Sequence, residues 1–320
     1  MKWTGKRTGL ALGGGGVRGF SHIGVLNVLE QEDIVPDIIA GCSAGALIGG
    51  AYASGTSPGK IADKVDAYLI SPEFQASALR SVGLTMTPYD RTFPEKVQKV
   101  ITQHYHAART LFKPGILPVS DFESLIDHFI PDMDIRDTRI PFYAVATDLI
   151  TGGRIVISEG SLRQAILASC AVPGAVAPVR LGDWLLADGG ITSLVPVQVA
   201  RQAGADVVMA VVVNIRSDMR GPFDTAQKVV FRAGEITADK LEALELREAD
   251  VVIRPNVGDL HWTDFKRAKG LIREGEIATR EALEALHEAQ PLYKRTLRLA
   301  KRFSTRMTQR KKQNTSGEPN

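Results

Sequence analysis

The sequence predicts an α/β domain whose mostly parallel sheet is covered by helices on both faces, in three layers. Three observations carry this. Short apolar runs that read as buried strands alternate with helical patterns along most of the chain. Two glycine-rich strand-to-helix turns stand 28 residues apart, from Gly15 to Ser43, which is the span of one helix between neighbouring strands. The 320 residues, 44% hydrophobic and 23% charged, suit one large domain and show neither an internal repeat nor a low-complexity tract in the body.

Taken in order, "TGLAL" is a strand that runs into Gly13–Gly16, and residues 19–32 follow as a helix with Ile23, Leu26 and Leu29 on one face. "PDIIAG" is a second strand and "SAGALIGGAYASG" a second helix, closed by Gly55. From 57 to 118 the pattern weakens under Pro and Gly breaks, and this stretch reads as a cap or lid. "SDFESLIDHFI" has Ser120 with Glu123 three residues on, the pattern of a capping box. "IPFYAVATDL", "GRIVIS", "DWLLA", "ADVVMAVVVNI" and "ADVVIRP" read as further strands. Between and after them lie helical "SLRQAILAS", "VPVQVARQAG", a stretch over 224–247 and a last helix over 263–288.

Composition excludes several classes. The two cysteines, Cys42 and Cys170, have no metal-type spacing and make no disulfide framework, and no uninterrupted apolar run is long enough to span a bilayer. With no export signal legible at the basic start, a cytoplasmic location is expected. The net charge of +3 conceals an asymmetry. Nine of the 39 basic residues lie in 294–312, and of the 36 acids only Glu318 lies beyond residue 293, so the body holds 30 basic and 35 acidic residues. A mildly acidic body argues against a nucleic-acid partner. In the basic tail, 291–320, Leu292, Leu299, Phe303 and Met307 are spaced among the cations either as a helix lying on anionic lipid, at the inner membrane face, or as a solvated end.

The chemistry gathers at three places. "GCSAG", residues 41–45, has the G-x-S-x-G form of a nucleophile elbow, a tight turn that presents Ser43 at the end of a strand and the start of a helix. A helix N-cap serine is the plainer reading, but it requires neither flanking glycine. "GGGG" at 13–16 offers backbone N–H groups unobstructed by side chains, as an oxyanion needs, with Gly15 and Gly16 the favoured donors. A phosphate cradle fits less well, because no Lys-[Ser/Thr] follows and no acid closes the second strand. Asp188 in "LLADGG" ends an apolar strand, either as a base or as an ordinary Asp-Gly turn. The six histidines are scattered, and His22 reads as a packing residue.

"GGGGVRG", "GCSAG" and "DGG", in that order, resemble the three signature blocks of the patatin-like phospholipase family, and "HIGVL", "VATDLITGG" and "LRQAILASCAVPGAVAPV" are similar to its bacterial members. The similarity runs over about residues 8–288, which sets a domain at 8–290. The resemblance implies a three-layer α/β/α patatin-like fold and a Ser–Asp dyad of Ser43 and Asp188. It implies an oxyanion hole from Gly14, Gly15 and Gly16, and neither cofactor nor catalytic metal. Arg18 falls on the family's basic position, where it supports the glycine turn or meets a substrate phosphate; a solvated arginine is the plain alternative. Asp148 matches a frequent family position of structural character. The function expected is hydrolysis of phospholipid acyl esters through an acyl-enzyme on Ser43. A lysophospholipase or general carboxylesterase, and a lipid-binding regulatory protein, are the alternatives.

Overall fold

The computed structural model describes residues 6–80, 114–214, 223–224, 226–258 and 265–289. Eight strands form one sheet: β1 (Thr8–Leu12), β2 (Ile38–Cys42), β3 (Phe142–Asp148), β4 (Arg154–Ile157), β5 (Val179–Leu181), β6 (Trp184–Asp188), β7 (Val207–Val211) and β8 (Val251–Ile253). They are linked in the order β5-β6-β3-β2-β1-β7-β8, with β4 also on β3. The run from β3 through β2, β1 and β7 to β8 is parallel, whereas β4, β5 and β6 pair antiparallel.

Strand side chains alternate between two apolar layers. Leu10, Leu12, Ile39, Ala144, Met209 and Val211 belong to the larger core. Their neighbours Ala11, Ile38, Ala40, Val145, Val208 and Ala210 belong to the smaller core on the opposite face. Both faces being apolar, both must be covered. Helices α1 (Ser21–Gln31), α2 (Ala44–Ala53), α3 (Pro58–Ile70), α4 (Pro72–Ala76), α5 (Val119–Phe129) and α6 (Leu162–Ser169) contribute to the larger core. Helix α7 (Val197–Gln202) closes the smaller one with Val197, Val199 and Ala200. Helices α8 (Ala226–Glu245), α9 (Ala268–Glu281) and α10 (Leu283–Ala289) are the remaining α-helices among the described residues. The three-layer α/β/α architecture expected from the sequence is thus present.

Some local expectations are corrected. Helix α5 begins at Val119 with Pro118 in the cap position and no side-chain cap, so Ser120 lies inside the first turn and forms no capping box. The helix expected over 19–32 is split, a 3-10 turn over Gly16–Phe20 leading into α1. Of the cap segment, 57–80 forms α3 and α4, while 81–113 and the tail 291–320 lie outside the described residues.

Helices α1 and α9 cross at a pair of glycines. A Cβ on Gly24 would lie 1.9 Å from the Ile272 carbonyl oxygen, and one on Gly275 would lie 1.9 Å from that of Ser21. Gly24→Ala must push the helices apart and is expected to cost about 1–3 kcal/mol or more, as overpacking does. Gly270→Ala on α9, where nothing lies within 4 Å, is expected to add up to about 1 kcal/mol. Denaturant midpoints of the two variants should therefore move in opposite directions.

Candidate active site

Ser43 joins β2 to α2 with φ 52° and ψ −121°, a backbone state that a serine holds only when its surroundings impose it. Close packing imposes it here. A Cβ on Gly45 would lie 2.1 Å from the Leu12 carbonyl oxygen, and one on Gly41 would lie 2.6 Å from Ala46 Cα, so the turn admits only glycine on either flank. The Ser43 N–H donates to Ser169 Oγ at 2.9 Å, and that hydroxyl donates to the Val145 carbonyl at 2.6 Å, which pins the elbow to β3. Although Ser43 occupies the N-cap position of α2, its side chain caps nothing. The hydroxyl is left for chemistry at the positive end of the helix dipole.

Asp188 reaches the serine through strand register. Ala144 and Val145 of β3 pair with both β2 and β4, whereas Ala146 and Thr147 pair with both β4 and β6. Strands β2 and β6 therefore share one edge of β3 and meet end to end, with Cys42 opposite Val145 and Asp188 opposite the next residue, Ala146. Asp188 Oδ1 accepts the Gly190 N–H at 2.7 Å and faces the Cys42 thiol at 3.7 Å. Burial raises the pKa of this carboxyl above the usual aspartate value, and the Ser43 hydroxyl, the Gly190 N–H and the Cys42 thiol draw it partly back.

The glycine turn packs against Ser43, whose Cβ stands 3.3 Å from the position of a Cβ on Gly14. The amide of Gly13 donates to Val211 O and that of Gly14 to Leu194 O, each at 3.0 Å. Gly14 is thus a fastening point: its N–H is already engaged, which removes it from the expected set of donors. Gly15 and Gly16 are the cap and first residue of a 3-10 turn, so their N–H groups have no acceptor within the helix. Gly16, at φ 59°, also needs the freedom of glycine. Arg18 is not a solvated arginine: its Nε donates to the Gly15 carbonyl at 2.9 Å, which fixes the Gly15–Gly16 peptide and turns the Gly16 N–H the opposite way. Burial lowers the pKa of this guanidinium to about 10, Glu235 working against the shift, so it stays charged at neutral pH.

The remaining titratable groups support the frame. His22 is fully buried with Nε2 2.9 Å from the Gly13 carbonyl oxygen, and burial brings its pKa down to about 4, the bond to Gly13 opposing. It is a packing residue, as expected, and uncharged at neutral pH. Its neutral form favours folding above pH 6.5, and that contribution is lost as the pH falls from about 6.5 to about 4. The loss of stability over this window should be smaller in His22→Gln than in the parent, as equilibrium unfolding at several pH values would show. Burial pushes the thiols of Cys42 and Cys170 well up, so neither is a nucleophile. Asp148 is structural: burial opposes its charge, but Thr151 Oγ1 and the amides of Leu185, Ile150 and Thr151 outweigh that and hold its pKa low.

An apolar cavity opens onto Ser43 and Gly16, walled by Val17, Phe20, Leu47, Phe122, Leu125 and Phe265. Ser169, Leu194 and Cys42, which fasten the elbow, the glycine turn and the carboxylate, were not singled out in the sequence for these roles. No short motif marks them.

A serine elbow on a three-layer α/β domain, beside a buried carboxylate and an apolar cavity, defines a class of ester hydrolase. The model of the patatin-like phospholipase family matches residues 10–201, and the chain belongs to that family. Its domain is that of a lipid ester hydrolase. An uncharacterized NTE family protein of Mycobacterium tuberculosis is 34% identical over 223 residues, which cover 69% of this chain and 52% of that protein. The rat patatin-like phospholipase domain-containing protein 7 is 30% identical over 67% of this chain and 14% of its own length. The chain thus spans about half the length of the first of these, or less. The crystal structure of VipD from Legionella pneumophila aligns over 88% of this chain and 67% of its own at a TM-score of 0.49 and 16% identity.

Proposed function

We propose that the protein hydrolyses the carboxylic ester bonds of phospholipids through an acyl-enzyme on Ser43, with Asp188 as its base. The single observation that carries the reading is the meeting of the Ser43 hydroxyl, which caps no helix and belongs to a residue lining an apolar cavity, with the buried carboxylate of Asp188. Asp188 takes the serine proton as the oxygen attacks the acyl carbonyl. The N–H groups of Gly15 and Gly16 receive the oxyanion, and the leaving alcohol takes the proton. Water, activated by the same carboxylate, then releases the fatty acid. A carboxylate lifted in pKa by burial is a stronger base than an exposed one, provided that it is still ionised at working pH. The cavity's apolar walls suit an acyl chain.

The reading is tested with the purified chain, a fluorophosphonate probe and a panel of bilayer, micellar and short-chain esters, with products identified by mass spectrometry. The expected result is a single adduct on Ser43 and release of fatty acid from phospholipid, unaffected by chelators. Turnover of lysophospholipid or soluble esters alone would replace the substrate class. Lipid binding without turnover would make the chain a regulatory protein.

A further inference from the structure

Helix α8, which lies after the stretch matched by the family model, ends on Glu245. This carboxylate is partly buried and takes three donors from one short segment: the Ser193 hydroxyl on Oε1, the Val195 N–H on Oε2 at 2.8 Å, and the Leu194 N–H. Arg154 is the cation that acts on it. The segment is the bridge between the two halves of the site. On one side it continues from the Asp188 turn, where Thr192 and Ser193 donate to the Gly189 carbonyl at 3.0 and 2.8 Å. On the other, the Leu194 carbonyl receives the Gly14 N–H, and the Leu194 side chain lies 3.4 Å from the position of a Cβ on Gly14. Glu235, ten residues earlier on the same helix, acts on Arg18, which holds the next carbonyl of the turn.

We propose that Glu245 is a positioning residue for the hydrolysis, holding Ser193–Val195 so that the Leu194 carbonyl fixes Gly14 and sets the Gly15 and Gly16 amides against Ser43 and Asp188. A carboxylate can accept about four hydrogen bonds, so one group serves the three donors. An amide in its place keeps one oxygen for the backbone N–H groups and can turn its NH2 to the Ser193 hydroxyl, which then accepts, so it does part of the same work without the charge. Glu245 touches neither the serine nor the carbonyl to be attacked. Its effect runs through the backbone of the oxyanion turn, where a shift of about 1 Å costs on the order of a hundredfold in rate.

This inference rests on the ester-hydrolase reading, and its test separates the two. Glu245→Ala and Glu245→Gln are compared with the parent for kcat and KM on a short-chain ester, for the rate of Ser43 labelling by a fluorophosphonate, and for amide hydrogen exchange at Gly13 and Gly14. Glu245→Ala is expected to lower kcat and labelling about a hundredfold with KM within about twofold, and Glu245→Gln to lose less. Gly14 should lose exchange protection while Gly13, bonded to Val211, keeps it. Glu242→Gln, which removes a buried carboxylate paired with Arg254 at 3.0 Å on the same helix, gives the cost of a general loss of stability. A folded Glu245→Ala with parental kcat and Gly14 protection overturns the proposal, as does a loss of kcat that Glu242→Gln matches at equal loss of stability. Should Glu245→Ala not fold, Glu245→Gln and Ser193→Ala are judged by the same readouts. If the parent itself takes no probe, the catalytic reading fails, and Gly14 exchange alone decides whether Glu245 holds the turn.

Discussion

Ser43→Ala is expected to give a folded protein that hydrolyses no ester above background and takes up no fluorophosphonate. Ser43→Gly should be equally inactive but more stable than either. The difference comes from the backbone. At φ 52° and ψ −121° any side chain is strained, at a cost of about 1–3 kcal/mol, and Gly41 and Gly45 leave the elbow no room to relax. Glycine at 43 removes the strain, offset by about 0.5–1 kcal/mol of added chain entropy in the unfolded state. Intact-protein mass spectrometry after labelling, with denaturant titration of the three proteins, checks both halves. Retained turnover in Ser43→Ala would move the nucleophile elsewhere. A Ser43→Gly no more stable than Ser43→Ala would mean that the elbow stores no strain.

Asp188→Asn is expected to lower kcat by at least about a hundredfold, the usual cost of losing a general base, and yet to stabilise the fold at neutral pH. Asparagine keeps an acceptor for the Gly190 N–H, which now reaches Oδ1 at 2.7 Å, so the geometry survives. Burial raises the aspartate's pKa, so the folded state takes up its proton more readily than the unfolded chain does. Its contribution to stability is therefore greatest below the unfolded value of about 3.9 and is lost as the pH rises through the folded one, leaving a cost at neutral pH that the neutral amide does not carry. In the parent, the acid limb of kcat/KM should lie above the usual aspartate range, because only the ionised carboxylate can take the proton from Ser43. Near-normal turnover in Asp188→Asn, or a single histidine whose replacement abolishes activity, would remove Asp188 from the role of base.

The elbow and the carboxylate were legible because close packing leaves a mark in the residue types. Gly41 and Gly45 are the only side chains that fit there, and Asp188 is followed by Gly189, whose Cβ would lie 2.3 Å from the Val145 carbonyl oxygen. The strand runs were legible wherever both faces are apolar, as in Ile38–Cys42. Strand β5 was not, because three residues with an exposed Arg180 carry no period and pair only with β6. The engagement of the Gly14 amide was hidden as well, since its partner Leu194 lies 180 residues away and uses only its backbone carbonyl. Glu245 looked like one more acid on a polar helix, and only the path of the chain after Asp188 brings it to the site. Sequence patterns report the side chains that a turn demands. They do not report which carbonyl a distant loop supplies.

Because Ser43 and Asp188 follow from adjacent rungs of β3, the distance between nucleophile and base is set in steps rather than continuously. A one-residue deletion or insertion between Ala144 and Thr147 would move one strand end against the other by about 3.3 Å and reverse the face to which it points. Side-chain rotamers cannot absorb such a change. The β3–β4 connection beyond Asp148 lies outside this ruler, so added length there leaves the separation untouched. Extra residues in that turn are therefore expected to cost the bonds that Ile150 and Thr151 make to Asp148 rather than the register of the site, while the four residues of β3 beneath it admit substitution but no change in number.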